Sequence, residues 1–308
     1  MPSQELPKIA VLMAVYNGMR WLTQQVDSIL NQEAVKVTLY ISVDQSQDNS
    51  ALWCQELADS DNRVVLLPLG QRYGSATKNF FRLLQEVDFK NFDYTSFADQ
   101  DDIWHSDKLH RAVNILKSQG YSGYSSNVTA WWDGKSSKKR LLNKAQPMKK
   151  WDYLFESGGP GCTYVMSQSL IIDIQKCLLA LPELVGKLDF HDWFCYAYAR
   201  GKNIQWHIDN EPSMLYRQHG DNAVGINRGI RPFLIRAKHA LAGHSFEQAL
   251  VIMQVIFHDR PNHIPLIIPK KRRDFFKLAL KTRHCRRRHL DQFYFFCLCL
   301  VMAIYGKK

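Results

Sequence analysis

Four short apolar segments alternate with helical segments in the first hundred residues, and this alternation restricts the possible folds more than any other feature. Residues 8–16 form an almost continuous apolar run, which is typical of a strand buried on both faces. Further strands are predicted at 35–43, 63–69 and 94–98, and amphipathic segments such as 21–30 separate them. This pattern predicts an α/β fold in which an open, mostly parallel sheet has helices on both faces.

The pattern is less regular beyond residue 109. A polar loop is predicted at 133–149, and a helix is predicted to begin at His191 and to end near Gly201. Four more strands are predicted, at 122–132, 162–166, 204–208 and 213–219. The chain beyond residue 228 is predicted to be helical and basic.

Positive charge is concentrated in the last third of the chain. The net charge is +11, and residues 220–308 contain 17 Lys and Arg but only 5 Asp and Glu. Such a segment suits an anionic membrane surface or a nucleic acid. No familiar nucleic-acid-binding motif is present, so a nucleic-acid partner is not expected.

The seven cysteines are odd in number and include no C-x-x-C pair, which favours reduced thiols in a cytoplasmic protein. The first residues have no basic start followed by an apolar run, so no secretory signal is expected.

The strongest local signal is an acidic cluster that follows the fourth predicted strand. Asp99, Asp101 and Asp102 lie within four positions, and such carboxylates repel one another unless a cation lies among them. Mg²⁺ or Mn²⁺ would supply that charge. An acidic turn that caps the next helix is the alternative. In open α/β sheets ligands bind beyond the carboxyl ends of the strands, where this cluster is predicted to lie.

Six short motifs occur in order along the chain: 14–18, 42–50, 97–104, 160–163, 191–193 and 216–222. Together they resemble motifs of the family 2 glycosyltransferases of the GT-A fold, in particular the rhamnosyltransferase-like branch. The resemblance covers residues 6–225. It implies a GT-A catalytic domain at 1–225, followed by a basic helical extension at 226–308. The nucleotide-sugar half of that domain would span about 1–105 and the acceptor half about 106–225.

The resemblance also implies roles for individual residues. Tyr16 would stack on a pyrimidine base, and Asp44 would accept the ring N–H. Asp101 would bind Mn²⁺ or Mg²⁺ beside the diphosphate, with His219 as a candidate second ligand. Asp192 would be the general base that takes the proton of the acceptor hydroxyl. The donor-binding set is Ala14, Tyr16, Asn17, Asp44, Asp99 and Asp101.

For the acceptor site, the candidates are Trp104, Gly161, Cys162, Thr163, His191 and Trp193. A place in the core is the alternative for the aromatic and histidine side chains. Arg217 is a candidate phosphate contact, because a guanidinium binds phosphate through two hydrogen bonds.

The resemblance implies an inverting transfer of one sugar from a dTDP- or UDP-sugar, with dTDP-rhamnose favoured by the branch. The acceptor would be a saccharide or a lipid-linked saccharide in the synthesis of O-antigen or capsule. Transfer from a UDP-hexose or UDP-N-acetylhexosamine by a member of the same family is the first alternative. The second is a non-catalytic protein that binds nucleic acid or a membrane. The Q-x-x-R-W run of processive members is missing, which favours transfer of a single sugar.

The apolar segment at 293–305 follows clusters of Lys and Arg. Its 13 residues would extend about 20 Å as a helix, against a hydrocarbon core of about 30 Å, so it would enter one leaflet only. A basic segment beside an apolar face is typical of interfacial anchors. The expected location is therefore the cytoplasm, peripheral on the inner face of the plasma membrane. The alternative is a helix pair packed on the catalytic domain.

Overall fold

The computed structural model describes residues 5–132, 138–219, 243–265, 267–269 and 271–305. The strands among them are β1 (Lys8–Val15), β2 (Lys36–Val43), β3 (Val64–Leu66), β4 (Tyr94–Ala98), β5 (Ile103–Trp104), β6 (Gly123–Trp132), β7 (Lys138–Leu142), β8 (Val165–Ser167) and β9 (Trp206–Gln218).

The helices in these ranges are α1 (Met19–Leu30), α2 (Ser50–Ser60), α3 (Ala76–Glu86), α4 (Lys108–Gln119), α5 (Gln168–Ala180), α6 (Pro182–Val185), α7 (His191–Gly201), α8 (His244–Ile256), α9 (Arg272–Ala279) and α10 (His289–Tyr305). Short 3₁₀ turns occur at Asp152–Leu154, Gly161–Thr163, Pro261–His263 and Thr282–His284.

All nine strands belong to one sheet, with the order β3-β2-β1-β4-β8-β6-β9-β5 and with β7 paired to β6. β1 is parallel to both β2 and β4, and β2 is parallel to β3. β8 is antiparallel to its neighbours β4 and β6. The predicted α/β fold, a mixed and mostly parallel sheet flanked by helices, is confirmed.

The packing of β1 on both faces explains why its residues after Lys8 are all apolar. Successive side chains of a strand point to opposite faces of the sheet. Ala10 and Leu12 therefore lie in one hydrophobic core, whereas Ile9, Val11 and Met13 lie in the other. Because helices cover both faces, no position in the middle of β1 faces water.

Four predicted segments differ from the structure. The strand predicted at 63–69 is shorter and spans only Val64–Leu66. β7 lies inside the predicted loop at 133–149, because a mostly exposed, basic edge strand lacks the apolar alternation that marks a buried one. The strands predicted at 204–208 and 213–219 form one strand, β9, whose pairing with β6 shifts register near Pro212. The segment predicted as a strand at 162–166 begins as a 3₁₀ turn before β8.

The carboxyl-terminal helices share the core of the rest of the chain. The Phe155 ring lies 4.9 Å from that of Phe295 on α10 and 6.1 Å from that of Phe246 on α8. The buried carboxylate of Asp152 pairs with Arg200 at 3.1 Å and with Arg287 at 3.3 Å. The helical character predicted beyond residue 228 is thus seen from 244 onward, and the predicted boundary near 225 lies outside the described residues.

Within the described part of the chain, no helix combines the length and the apolar character needed to cross a bilayer.

Candidate active site

The loop after β1 is joined to two other loops through its backbone. Four consecutive backbone N–H groups, those of residues 16–19, each donate to a side chain from a distant segment. The pairs are Tyr16 to Gln100 at 2.8 Å, Asn17 to Ser46 at 3.1 Å, Gly18 to Ser50 at 2.9 Å and Met19 to Asp48 at 3.0 Å. The first three predicted motifs therefore meet at one edge of the sheet.

Asn17 and Tyr16 occupy this loop in different ways. Asn17 has a left-handed backbone with φ of 46°, and its side-chain oxygen accepts the N–H of Gln47 at 2.7 Å. Asn17 therefore joins two loops. The Tyr16 side chain is 54% exposed and can meet a ligand. Ala14 lies just before, partly exposed near the end of β1.

The Asp44 carboxylate, directly after β2, already holds part of the loop between β3 and α3. It accepts N–H groups from Gln45, Tyr73 and Gly74, each at 2.8 Å. A carboxylate accepts about four hydrogen bonds, so one position is left for a further donor. The structure thus gives Asp44 a positioning role in addition to the predicted contact with a base.

Asp101 of the acidic cluster lies next to His219. These two residues are the candidate metal ligands of the sequence analysis. Asp101 Oδ2 lies 2.8 Å from His219 Nε2, and the His219 ring stacks on Trp21 at 3.9 Å. Burial raises the pKa of Asp101, and the hydrogen bond from His219 opposes that increase. A carboxylate oxygen and an imidazole nitrogen side by side are suitable ligands for a divalent cation.

Arg217 makes hydrogen bonds to the turn that carries the acidic cluster. Its side chain is 1% exposed, and Nε donates to the Asp101 carbonyl at 2.7 Å. Its backbone N–H donates to Asp102 Oδ1 at 3.0 Å, and its guanidinium lies over the Trp131 ring. Our expectation of a phosphate contact is therefore not supported, because this guanidinium is buried and holds the acidic turn.

A second group of possible metal ligands lies deeper in the site. Ligand atoms of Asp99, Asp102 and Cys162 lie within 4.8 Å of one another. Burial raises the pKa of Asp102 and of the Cys162 thiol well above their ordinary values, so both favour their neutral forms. A thiol suits a softer metal, and the oxygen and nitrogen of Asp101 and His219 suit Mn²⁺ or Mg²⁺ better.

A buried lysine lies beneath these acids. Lys108 Nζ is 3.1 Å from Ser96 Oγ and 3.4 Å from the centre of the Trp104 ring. Burial lowers the pKa of Lys108 to about 7, and the nearby Cys162 and Asp102 oppose that change. The protein thus places an amine that is about half charged near neutral pH close to Asp102 and Cys162.

Asp192, the predicted base, is the second residue of α7 and is partly exposed. Burial raises its pKa to about 6, while the N–H groups of Trp193 and Asp192 and the charge of Lys144 lower it. The pKa of Asp99 is raised to about 7 by burial, by the charge of Asp101 and, less strongly, by that of Asp192. The Asp99 carboxylate also lies within 4.8 Å of the Cys162 thiol, and Cys162 directly follows Gly161 in the chain.

Gly161 allows Asp192 to approach this site. A Cβ on Gly161 would lie 2.9 Å from the Cβ of Asp192 and 3.1 Å from His191 Nε2. Nothing larger than glycine fits without displacing them. His191 stacks on Phe80 at 4.0 Å, and burial lowers the His191 pKa to about 3, so its imidazole is neutral. Of the predicted acceptor residues, Gly161 and His191 thus lie beside the predicted base.

The other four predicted acceptor residues are part of the interior. Trp104, Cys162, Thr163 and Trp193 are buried, the Trp193 indole N–H donates to the Tyr153 carbonyl at 2.8 Å, and the Thr163 hydroxyl donates to the Pro160 carbonyl. Packing and intramolecular hydrogen bonds already involve these side chains, and their contact with an acceptor stays a prediction.

Three residues that position the site were missed at the sequence level. They are Gln100, Trp21 and Lys108, each of which acts through contacts with distant segments. Gln100 alone gave a usable signal, because it lies between two of the acids.

The fold and the site define a glycosyltransferase of the GT-A class. The chain belongs to glycosyl transferase family 2, whose sequence model matches residues 10–173.

Similar proteins include the dTDP-rhamnosyl transferase RfbG of Shigella flexneri, which is 43% identical over 216 residues, 70% of this chain and 74% of RfbG. The UDP-Glc:alpha-D-GlcNAc-diphosphoundecaprenol beta-1,3-glucosyltransferase WfgD of Escherichia coli is 24% identical over 53% of this chain and 61% of WfgD. Among solved structures, the mannosyltransferase PcManGT from Pyrobaculum calidifontis, in complex with GDP-Man and Mn²⁺, has a TM-score of 0.54 at 15% identity, covering 99% of this chain and 89% of that one.

Proposed function

We propose that the protein is an inverting, metal-dependent transferase that moves one sugar, rhamnose first among the candidates, from a pyrimidine-diphosphate sugar to a hydroxyl acceptor. The observation that carries this proposal is the turn at 161–162, which joins the acidic cluster to Asp192. The Cys162 thiol lies within 4.8 Å of ligand atoms of Asp99 and Asp102, and the adjacent Gly161 packs against Asp192. The pair suited to a metal and the candidate base therefore border the same space. A donor bound at Asp101 and His219 and an acceptor hydroxyl bound at Asp192 would meet in that space.

Asp192 takes the proton of the acceptor hydroxyl. Its pKa of about 6 leaves it mostly ionised at neutral pH and still basic enough to accept a proton. The neutral His191 imidazole beside it adds no positive charge that would weaken this base. Attack from the side opposite the leaving group inverts the configuration of the sugar.

The residues present fit a divalent cation. Asp101 and His219 would hold Mn²⁺ or Mg²⁺, because their carboxylate oxygen and imidazole nitrogen already lie 2.8 Å apart. When bound, the ion would neutralise the charge of the departing nucleoside diphosphate.

The donor base would lie on the exposed Tyr16 ring, with the remaining acceptor position of the Asp44 carboxylate turned to its ring N–H. The similarity to a dTDP-rhamnosyl transferase over 70% of the chain supports dTDP-rhamnose as the first donor to test. UDP-hexoses and UDP-N-acetylhexosamines are the alternatives.

A thermal-shift screen of dTDP- and UDP-sugars, with Mn²⁺ or Mg²⁺, tests the proposal, because a bound donor raises the melting temperature by mass action. We expect a shift that needs the metal in the parent protein and is absent in Asp101→Ala. The exposed Asp107, which makes no capping hydrogen bond, supplies the matched control Asp107→Ala. If no nucleotide sugar stabilises the parent protein or is consumed by it, the proposed function is wrong.

We further propose a lipid-linked saccharide as acceptor and an anionic membrane surface, the inner face of the plasma membrane, as the place of reaction. WfgD is named for a diphosphoundecaprenol acceptor, and it resembles this chain over 166 residues. Helix α10 would supply the protein surface that binds the membrane, because it has apolar side chains on two opposite faces. Phe295, Cys299 and Met302 pack inward.

The opposite side of α10 carries an exposed apolar stripe, with spacings of three, four and seven residues that keep it on one face. Its members are Leu290, Phe293, Tyr294, Cys297, Val301, Ile304 and Tyr305. The exposed Lys281, Arg283 and Arg288 precede it. Each basic side chain near an anionic surface contributes about 1 kcal/mol to binding.

Co-sedimentation with phosphatidylglycerol vesicles tests this surface. The double variant Phe293→Glu/Ile304→Glu changes side chains that are 60% and 56% exposed, so it should fold and lose vesicle binding. Leu52→Glu, at a position 60% exposed on α2, should bind as the parent does. Equal sedimentation of all three proteins would contradict the membrane proposal and leave the transferase proposal intact.

A further inference from the structure

We propose that Gln100 is a positioning residue that sets the direction of Tyr16, and that it thereby links the base-binding loop to the acidic cluster. This inference rests on the proposed function, in which Tyr16 receives the base of the donor. Gln100 lies between Asp99 and Asp101, and its side-chain amide holds the backbone of Tyr16 at two points. Oε1 accepts the Tyr16 N–H at 2.8 Å, and Nε2 donates to the Tyr16 carbonyl at 2.9 Å.

The Gln100 side-chain amide makes hydrogen bonds with Tyr16 of the kind that a neighbouring strand makes. β1 pairs with β4 from Ile9 with Tyr94 to Met13 with Ala98, and no pairing with β4 is present beyond Ala98. Tyr16 lies three residues past the last pair. The paired donor and acceptor of one primary amide satisfy the two backbone groups of Tyr16 as a neighbouring strand would. A carboxylate lacks the donor, and an aliphatic side chain lacks both groups.

Gly18 lies directly against the Gln100 side-chain amide. A Cβ on Gly18 would lie 2.4 Å from Gln100 Oε1 and 2.8 Å from its Cδ. The φ of Gly18 is −101°, which other residues adopt freely, so glycine is needed here for space and not for conformation. The loop and the amide are therefore fitted to each other, and a methyl group at residue 18 should displace Gln100.

The direction of the Tyr16 ring depends on this support. Among the described residues the Tyr16 side chain makes no hydrogen bond, and it is 54% exposed. The backbone of Tyr16 therefore sets the direction of its Cα–Cβ bond, and with it the region that the ring can reach. The Gln100 side chain fixes that backbone to the turn that also carries Asp101.

The experiment measures the affinity of dTDP and UDP, by calorimetry, with EDTA and with Mn²⁺. Gln100→Leu keeps the approximate size and removes both hydrogen bonds, and we expect its nucleotide Kd to rise about tenfold, the equivalent of one or two hydrogen bonds. The affinity for Mn²⁺ alone should stay within about twofold of the parent value, and the donor KM should rise while kcat at saturation changes little.

A double-mutant cycle separates positioning from a general structural effect. If Gln100 acts through Tyr16, Gln100→Leu should change nucleotide affinity in the parent but not in the Tyr16→Ala background. Gly18→Ala should reproduce the loss in the parent, and it tests the same contact if Gln100→Leu does not fold. The inference is overturned if Gln100→Leu or Gly18→Ala binds nucleotide as the parent does, or if the loss is the same in both backgrounds. A parent protein that binds neither dTDP nor UDP would instead reject the proposed function.

Discussion

The two sides of the site are held in place by different means. On the donor side, the loops after β1, β2, β3 and β4 are joined by hydrogen bonds from backbone N–H groups to side chains, such as Gly18 to Ser50 and Tyr73 to Asp44. On the base side, Asp192 stands at the start of a helix and is fitted against Gly161 by close packing. Irregular loops need partners for their backbone groups, whereas a helix satisfies its own.

This difference implies that substitutions on the two sides have different effects. Removing a hydrogen bond that joins the donor-side loops should weaken nucleotide binding and leave kcat nearly unchanged. Displacing or neutralising the base should reduce turnover and leave donor affinity nearly unchanged. Kinetic parameters measured for matched variants distinguish the two cases.

The largest effect is expected for Asp192→Asn, which removes the base and preserves the shape of the side chain. We expect kcat to fall by about 10²–10⁴-fold with little change in donor Kd. Because burial raises the pKa of Asp192 from 3.8 to about 6, the ionised form is unfavourable in the folded protein. The stability that this group gives is present below its ordinary pKa and is lost as pH rises through about 6.

Asp192→Asn should therefore raise the melting temperature at pH 7.5 and leave it almost unchanged at pH 4. Asp107→Asn, at an exposed position whose side chain makes no capping hydrogen bond, is the control. Parental turnover in Asp192→Asn would place the base elsewhere.

A smaller but still large effect is expected for Gly161→Ala. Its Cβ would meet that of Asp192 at 2.9 Å and move the base, and a displacement of about 1 Å can cost 10²-fold in turnover. Gly186→Ala is the matched control, because its nearest contact, the Pro182 carbonyl, lies at an ordinary 3.5 Å. Comparable kcat values for the two variants would show that the approach at Gly161 does not position the base.

The pH dependence of turnover should follow Asp192. Since the ionised form takes the proton, kcat should fall about tenfold for each pH unit below about 6. The positive charge of Lys144 lowers the Asp192 pKa, so Lys144→Gln should move this acidic limb to higher pH and Lys144→Arg should not. A limb that stays in place in Lys144→Gln would show that this lysine does not act on the base.

The smallest effect is expected on the donor side, for Ser50→Ala. This variant leaves the buried Gly18 N–H without its acceptor, at a cost of about 1–3 kcal/mol in the free energy of unfolding. We expect a fall of a few degrees in melting temperature and a rise of several-fold in donor KM, with kcat unchanged. Ser60→Ala, at an exposed position ending α2, should match the parent. A change confined to kcat would contradict the distinction between the two sides.

The sequence predicted the elements that bury an apolar pattern. β1, β4 and α7 lie within a residue of their predicted limits, because burial requires apolar side chains at fixed spacings. β7 was missed, since its exposed residues follow no such requirement. The meeting of the motifs after β1, β2 and β4 at one edge was also predicted, because the carboxyl ends of parallel strands lie together there. His219 was a candidate metal ligand, and the structure places it 2.8 Å from Asp101.

The sequence by itself determined which chemical groups the protein has and which end of the sheet carries them, because strand order along the chain and apolar periodicity are local properties. Only the tertiary structure decided how deep each group lies and what it touches. It buried Trp104 and Trp193, turned Arg217 toward the Asp101 carbonyl and placed Gln100 against Tyr16. Those outcomes depend on contacts between residues far apart in sequence, whose geometry exists only once the core has packed.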